Sequence, residues 1–166
     1  MTQSTPQRKK QSRLILGLGL LVIAISVTSA LFFGETSPVI AQGRIVLSEE
    51  LTAQAQGMRR LFIIVRDAES PMPMPWGALD VTLSADPSGD VYSFILTRDN
   101  LRIMNQGGPL PKKLSLKARL DLDGIAGLDE PGDIVGSIGP VDFGSKDQVI
   151  TLSSLVAESA AMPQDP

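Results

Sequence analysis

The chain has no cysteine and no histidine, and its 166 residues include only one Trp, one Tyr and five Phe. Each absence closes a class of function. Without thiol or imidazole there is no thiol catalysis, no disulfide framework, no Cys/His zinc site, no covalent c-type haem attachment and no histidine general base. Any remaining catalysis would have to run on Asp/Glu or Lys/Ser. At 17.7 kDa the chain has room for one ordinary domain and a short appendage. A small chain without these residues reads as a binding or scaffolding module, not an enzyme, and no cofactor is expected.

Charge is also unevenly placed. Four of the 15 basic side chains (Arg8, Lys9, Lys10, Arg13) precede residue 14, and none of the 18 acidic ones does. The chain beyond Arg13 is therefore more acidic than the net charge of −3. An acidic domain is a poor nucleic-acid binder, because phosphate contacts need clustered Lys and Arg. The basic tip instead precedes LILGLGLLVIAISVTSALFF (14–33), which carries no charge. At about 1.5 Å per residue this run makes about 30 Å of helix, the thickness of a bilayer hydrocarbon core. The flanking bases set the orientation: N-terminus in the cytoplasm, later residues outside. The expected topology is a single-pass protein of the bacterial inner membrane with a periplasmic C-terminal domain. A cleaved signal peptide is the competing reading, with Val39 and Ala41 placed as a peptidase prefers. An apolar run longer than the usual ~7–15 residues favours retention.

Organisation follows from composition. Residues 1–13 form a basic stub, 14–33 the transmembrane anchor, 34–43 a small polar tether, 44–156 a folded domain and 157–166 a disordered tail. Within the domain, short apolar runs alternate with turn residues. RIVLS (44–48), RLFIIVR (60–66), LDVTL (79–83), VYSFILT (91–97), LSLKARLDL (114–122), residues 134–138 and QVITLS (148–153) read as strands. One or two helical turns fit 49–57 between Ser48 and Gly57. In 114–122 the alternation places Leu114, Leu116, Ala118, Leu120 and Leu122 inward, with Ser115, Lys117, Arg119 and Asp121 outward. SPMPMP (70–75) cannot be helix or central strand, because its prolines lack donors and fix φ. The spacing predicts an all-β fold: an antiparallel, immunoglobulin-like β-sandwich of about seven strands behind one transmembrane helix.

Three stretches invite chemistry. Acidic residues from Asp121 to Asp133 suggest calcium, but in EF-hand register Ile125 and Gly132 fall where ligands are required; a solvated hairpin loop with wet carboxylates is the plainer reading. Met72 and Met74, beside Trp76, are open to three readings: packing of a loop onto the sandwich edge, an adaptable patch for a protein partner, or thioether ligands for Cu(I). Ser115 and Lys117 share the outward face of a strand without a third group to make a hydrolase, and Lys112, Lys113, Lys117 and Arg119 read as a solvated basic patch. No catalytic, cofactor or metal residue is assigned. Met72, Met74 and Trp76 are the candidate partner surface.

Several segments occur in a recognisable order: LFIIVR, then PMPMPWGALDV, FILTRDNLRI, LSLKARLDLDGIAG and the turn PGDIVG, with the pair Ala118-Arg119 on a later strand and the triplet Pro131-Gly132-Asp133 after a short Gly-containing loop, none of them specific alone. This order resembles the C-terminal immunoglobulin-like periplasmic domain of the CycH/CcmI family of cytochrome c biogenesis proteins, over residues 43–155. The family's tetratricopeptide repeats are not among these residues. The resemblance implies a membrane-tethered periplasmic accessory protein that binds apocytochrome c or the maturation machinery without catalysis. It transfers no functional residue, since the matching motifs are turn and strand positions. The alternatives are a generic envelope β-sandwich with an unrelated partner, or a metal-binding (Cu or Ca) envelope protein.

Overall fold

A computed structural model describes residues 37–71, 74–104 and 110–158. The basic stub, the apolar run expected to span a membrane, Met72 and the tail from residue 159 lie outside the described residues. Among the described residues no helix is long and apolar enough to cross a membrane.

The described chain is all-β, in two sheets. Nine strands follow in order: β1 (Val39–Leu47), β2 (Arg60–Asp67), β3 (Gly77–Thr82), β4 (Asp90–Thr97), β5 (Arg102–Ile103), β6 (Lys113–Asp121), β7 (Ile134–Asp142), β8 (Ser145–Leu152) and β9 (Ser154–Leu155). One sheet has the order β4-β1-β8 and the other β5-β3-β2-β6-β7-β9. All neighbours are antiparallel except β1 and β8, which run parallel. Helical content is a single 3-10 turn at Glu49–Leu51, followed by turns as far as Gly57, which stops them at φ 84°.

The sandwich holds because strand alternation sends one side of each sheet inward. Ile45, Leu47, Phe94, Leu96, Ile150 and Leu152 from the small sheet meet Leu61, Ile63, Val65, Leu114, Leu116, Ala118 and Leu120 from the large one, and all are buried. The continuous apolar run of β2 is explained by its central place between β3 and β6. β1 begins at Val39, inside the stretch expected to be tether. Ile40 and Ala41 are fully buried, so cleavage after Ala41 would remove two core side chains. At Gly43 the pairing of β1 with β8 shifts register; a Cβ there would run into the Gln148 carbonyl, so only glycine allows the two backbones to approach.

Register also fixes which loops share an end. At the end where the chain enters at Ser37, Val39 pairs with Thr97, the Gly144 N–H donates to the Ile40 carbonyl, and the Phe143 N–H donates to Lys112. At the opposite end lie Leu47, whose N–H donates to Gly89, Arg59, whose carbonyl accepts from Leu83, and the long β6–β7 connection, residues 122–133.

Candidate interaction surface

The alternation expected across β6 stops before its end. Leu114, Leu116, Ala118 and Leu120 face the core as anticipated, but Arg119 and Asp121, expected outward and wet, are 1% and 3% exposed. Leu122, expected inward, is 59% exposed. Arg119 does leave the sheet on the outer side, directly opposite Phe62 of β2. It is buried because the 122–133 connection returns over that side. The basic patch expected from Lys112, Lys113, Lys117 and Arg119 therefore does not form: Lys113 pairs with Asp142 at 2.6 Å, Lys117 pairs with Asp129, and Arg119 is interior.

Arg119 braces the connection from beneath. Its Nη1 donates to the carbonyls of Gly127 (3.0 Å) and Leu128 (2.6 Å), and its Nη2 donates to Ile125 (3.2 Å). Nη2 also lies 2.7 Å from Asp121 Oδ2, and Nε lies 3.7 Å from Asp133 Oδ2. The guanidinium carbon sits 5.0 Å from the centre of the Phe62 ring, a cation–π geometry. The fork suits arginine because its five donors lie in one plane, which a lysine cannot imitate.

The two buried carboxylates complete the frame by accepting from backbone donors. Asp133 takes the N–H groups of Leu122 (3.1 Å) and Glu130 (2.9 Å), while Asp121 takes that of Gly124 (2.5 Å). Gly124, at φ 80°, makes the turn that brings its N–H there. Burial pushes the Asp121 carboxyl above its ordinary value of 3.8, and the Gly124 hydrogen bond and the Arg119 charge pull it only partly back. Backbone bonds between Val156 and both Gly132 and Asp133 fasten the far side of the loop.

The acids of this loop are therefore not all wet, as a solvated hairpin would have them. Asp121 and Asp133 turn inward onto the Arg119 guanidinium. Among the described residues no three His, Cys, Asp or Glu side chains are grouped so as to hold a metal.

With its polar groups consumed beneath, the loop shows aliphatic side chains above. Leu122, Ile125 and Leu128 are 59%, 65% and 88% exposed. Asp123 and Glu130 flank them, also exposed. Single exposed leucines are commonplace, whereas three large aliphatics exposed on one braced loop are less so. One sequence signal could have found this site. Between Lys117 and Lys146 Arg119 is the only base, and it precedes five carboxylates within residues 121–133.

Of the residues expected to make a partner surface, Trp76 follows the packing reading instead. Trp76 is core, 5% exposed, its backbone N–H bonded to Val65 and its indole nitrogen without a hydrogen-bond partner among the described residues. Met74 is exposed, and Met72 lies outside the described residues. Ser115 and Lys117 do line a common groove of about 540 Å³ with Ser137 and Thr151. However, Lys117 is tied to Asp129. No protein-family model, curated protein or solved structure matches this chain.

Proposed function

We propose that this chain is a membrane-anchored periplasmic interaction module. Its immunoglobulin-like sandwich binds a protein partner, without catalysis, through the 122–130 loop. The observation that supports it most directly is the exposure of Leu122, Ile125 and Leu128 on a loop held rigid by Arg119. Rigidity favours binding because little ordering entropy is left to lose on association. The acids Asp123 and Glu130 beside the aliphatics select a partner segment that pairs apolar residues with Lys or Arg. The resemblance to the CycH/CcmI domain supplies the setting, cytochrome c maturation, with apocytochrome or a component of the haem-ligation machinery as the partner.

A photo-crosslinking residue at Leu128 in the full chain, expressed in cells that mature c-type cytochromes, tests this reading. Adducts with apocytochrome or haem-ligation components are expected, and they should disappear when Leu122 and Ile125 are changed to Asp. Adducts with an unrelated envelope protein alone would overturn the maturation setting. The same adducts at a control position on β8 would overturn the loop as the binding site. On purified components, Leu128→Asp should weaken binding by about 2 kcal/mol, roughly thirtyfold, as expected for a central contact.

A further inference from the structure

The second group of exposed apolar side chains lies at the opposite end of the sandwich. Met74, after β2, is 63% exposed; Met104, after β5, 48%; and Leu110, before β6, 42%. Strand register brings these segments to the end at which the chain enters at Ser37. The Met104 N–H bonds the Trp76 carbonyl at 3.0 Å, which sets Met104 beside the stretch that holds Met74. Lys112, two residues after Leu110, accepts from Phe143 in the β7–β8 turn, next to the Gly144 N–H that reaches Ile40.

We propose that this end of the sandwich rests on lipid, with Met74, Met104 and Leu110 inserted among the headgroups. The proposal rests on the anchored reading given above. Its argument is one of reach. Only residues 34–36 separate the apolar run ending at Phe33 from Ser37. Whatever their conformation, four Cα steps span at most about 14 Å. The headgroup layer takes up about 5–8 Å of that on each side of the bilayer. What remains is narrower than a single helix, about 10–12 Å across. A protein partner or a second copy has no room between this end and the bilayer, whereas lipid is already there. Flexible, polarizable methionine side chains suit a disordered, mixed environment of this kind, and an apolar face of modest area buried at the interface gives reversible docking.

Charge plays a minor part. Exposed Arg98, Arg102 and Lys112 are offset at the same end by Asp67, Glu69 and Asp99. Docking should therefore occur on zwitterionic as well as anionic lipid and survive added salt, unlike a polybasic contact. Its consequence is orientation: with the entry end on the bilayer, the braced 122–133 loop points away from it, toward the periplasm.

The absence of cysteine makes the test direct. In the full chain, Met74→Cys, Met104→Cys, Leu110→Cys and, as the reference, Leu128→Cys are each labelled with an environment-sensitive fluorophore and reconstituted into phosphatidylcholine vesicles containing spin-labelled lipid. Blue-shifted emission and loss of fluorescence to the lipid-borne quencher are expected at 74, 104 and 110 but not at 128, unchanged in high salt. If the chain resists alkaline extraction but all four labels are equally open to aqueous iodide, the docking is overturned and the anchored reading stands. If alkaline extraction releases the chain, both are overturned.

Discussion

Replacing Arg119 by methionine, which keeps most of the volume and removes the guanidinium, tests the bracing directly. The substitution leaves Asp121 and Asp133, 3% and 2% exposed, without the cation they face, and it frees the carbonyls of Ile125, Gly127 and Leu128. Breaking one side of a buried pair costs about 3–5 kcal/mol, because the other charge stays desolvated. Loss of the contact with Phe62 adds about 0.5–2 kcal/mol. Against a typical domain stability of about 5–15 kcal/mol, the variant should still fold. At about 4 °C per kcal/mol for a domain of this size, the summed loss of about 3.5–7 kcal/mol should lower its melting temperature by about 14–28 °C. Urea unfolding followed by Trp76, the only tryptophan and a core residue, measures the global effect. Amide exchange measures the local one: the N–H groups of Leu122, Gly124 and Glu130, bonded to Asp133 and Asp121, should lose protection, while those of β2 keep theirs beyond the global shift. Arg119→Lys should recover little, since a single ammonium cannot serve three carbonyls and two carboxylates together. Adding Asp121→Asn to Arg119→Met should restore part of the loss by removing the stranded charge. A fall in stability below about 1 kcal/mol with unchanged loop exchange would refute the bracing, because that is the range of an ordinary surface substitution.

The raised Asp121 carboxyl predicts a pH dependence of definite sign. Between 3.8, its ordinary value, and its higher folded value, the native state holds a proton that the unfolded chain has released, so stability must fall as pH rises through that window. The difference in unfolding free energy between the natural chain and Asp121→Asn should therefore decrease from pH 3.8 upward and level off above the folded value; a difference that rises instead would contradict the burial argument. Gly43→Ala should separate β1 from β8, since the new methyl meets the Gln148 carbonyl backbone and not a side chain that could turn away. Lost exchange protection at Arg44–Leu47 together with a markedly lower melting temperature is expected, and unaltered pairing would show that the approach is looser than described. Leu128→Asp, at an 88% exposed position, should leave stability within about 0.5 kcal/mol while weakening partner binding.

Much of the fold could be read from the sequence because it is written with a period of two. β6 alternates as far as Leu120, and the unbroken apolar run of β2 matches its central place between β3 and β6. The strands that escaped notice are those whose residues carry no such signal. β5 and β9 are two residues long, the start of β1 lies between Pro38 and Gly43, and β7 runs on through Gly139 and Pro140. Arg119 was misread for a different reason. Alternation tells which side of a sheet a residue leaves from, but not whether that side is wet. Here the covering comes from a loop later in the chain, held there by the very residue it buries. Trp76, for which packing and a partner surface were both open, follows the packing reading: the hydrogen bond from its N–H to Val65 makes it the residue leading into β3, where its ring joins the core.

The β6–β7 connection is longer than its topology requires. β6 and β7 are antiparallel neighbours, and such strands are ordinarily joined by about two to five residues. The connection runs instead from 122 to 133, and it carries its aliphatic side chains outward, so it has no apolar core of its own to hold its shape. An ion network supplies that shape at a desolvation cost that an apolar pair in place of Arg119 and Asp121 would avoid. Stability alone therefore does not account for the arrangement, since a short turn over Phe62 would leave fewer charges to bury. The proposed partner-binding role accounts for it. A partner surface needs apolar contact area that stays exposed in the free protein without collapsing inward, and a loop whose polar backbone is fastened from below by Arg119 keeps Leu122, Ile125 and Leu128 available in that way. On that proposal, binding and bracing are two sides of one device: the charges that make the loop costly to bury are what free its aliphatics to face outward.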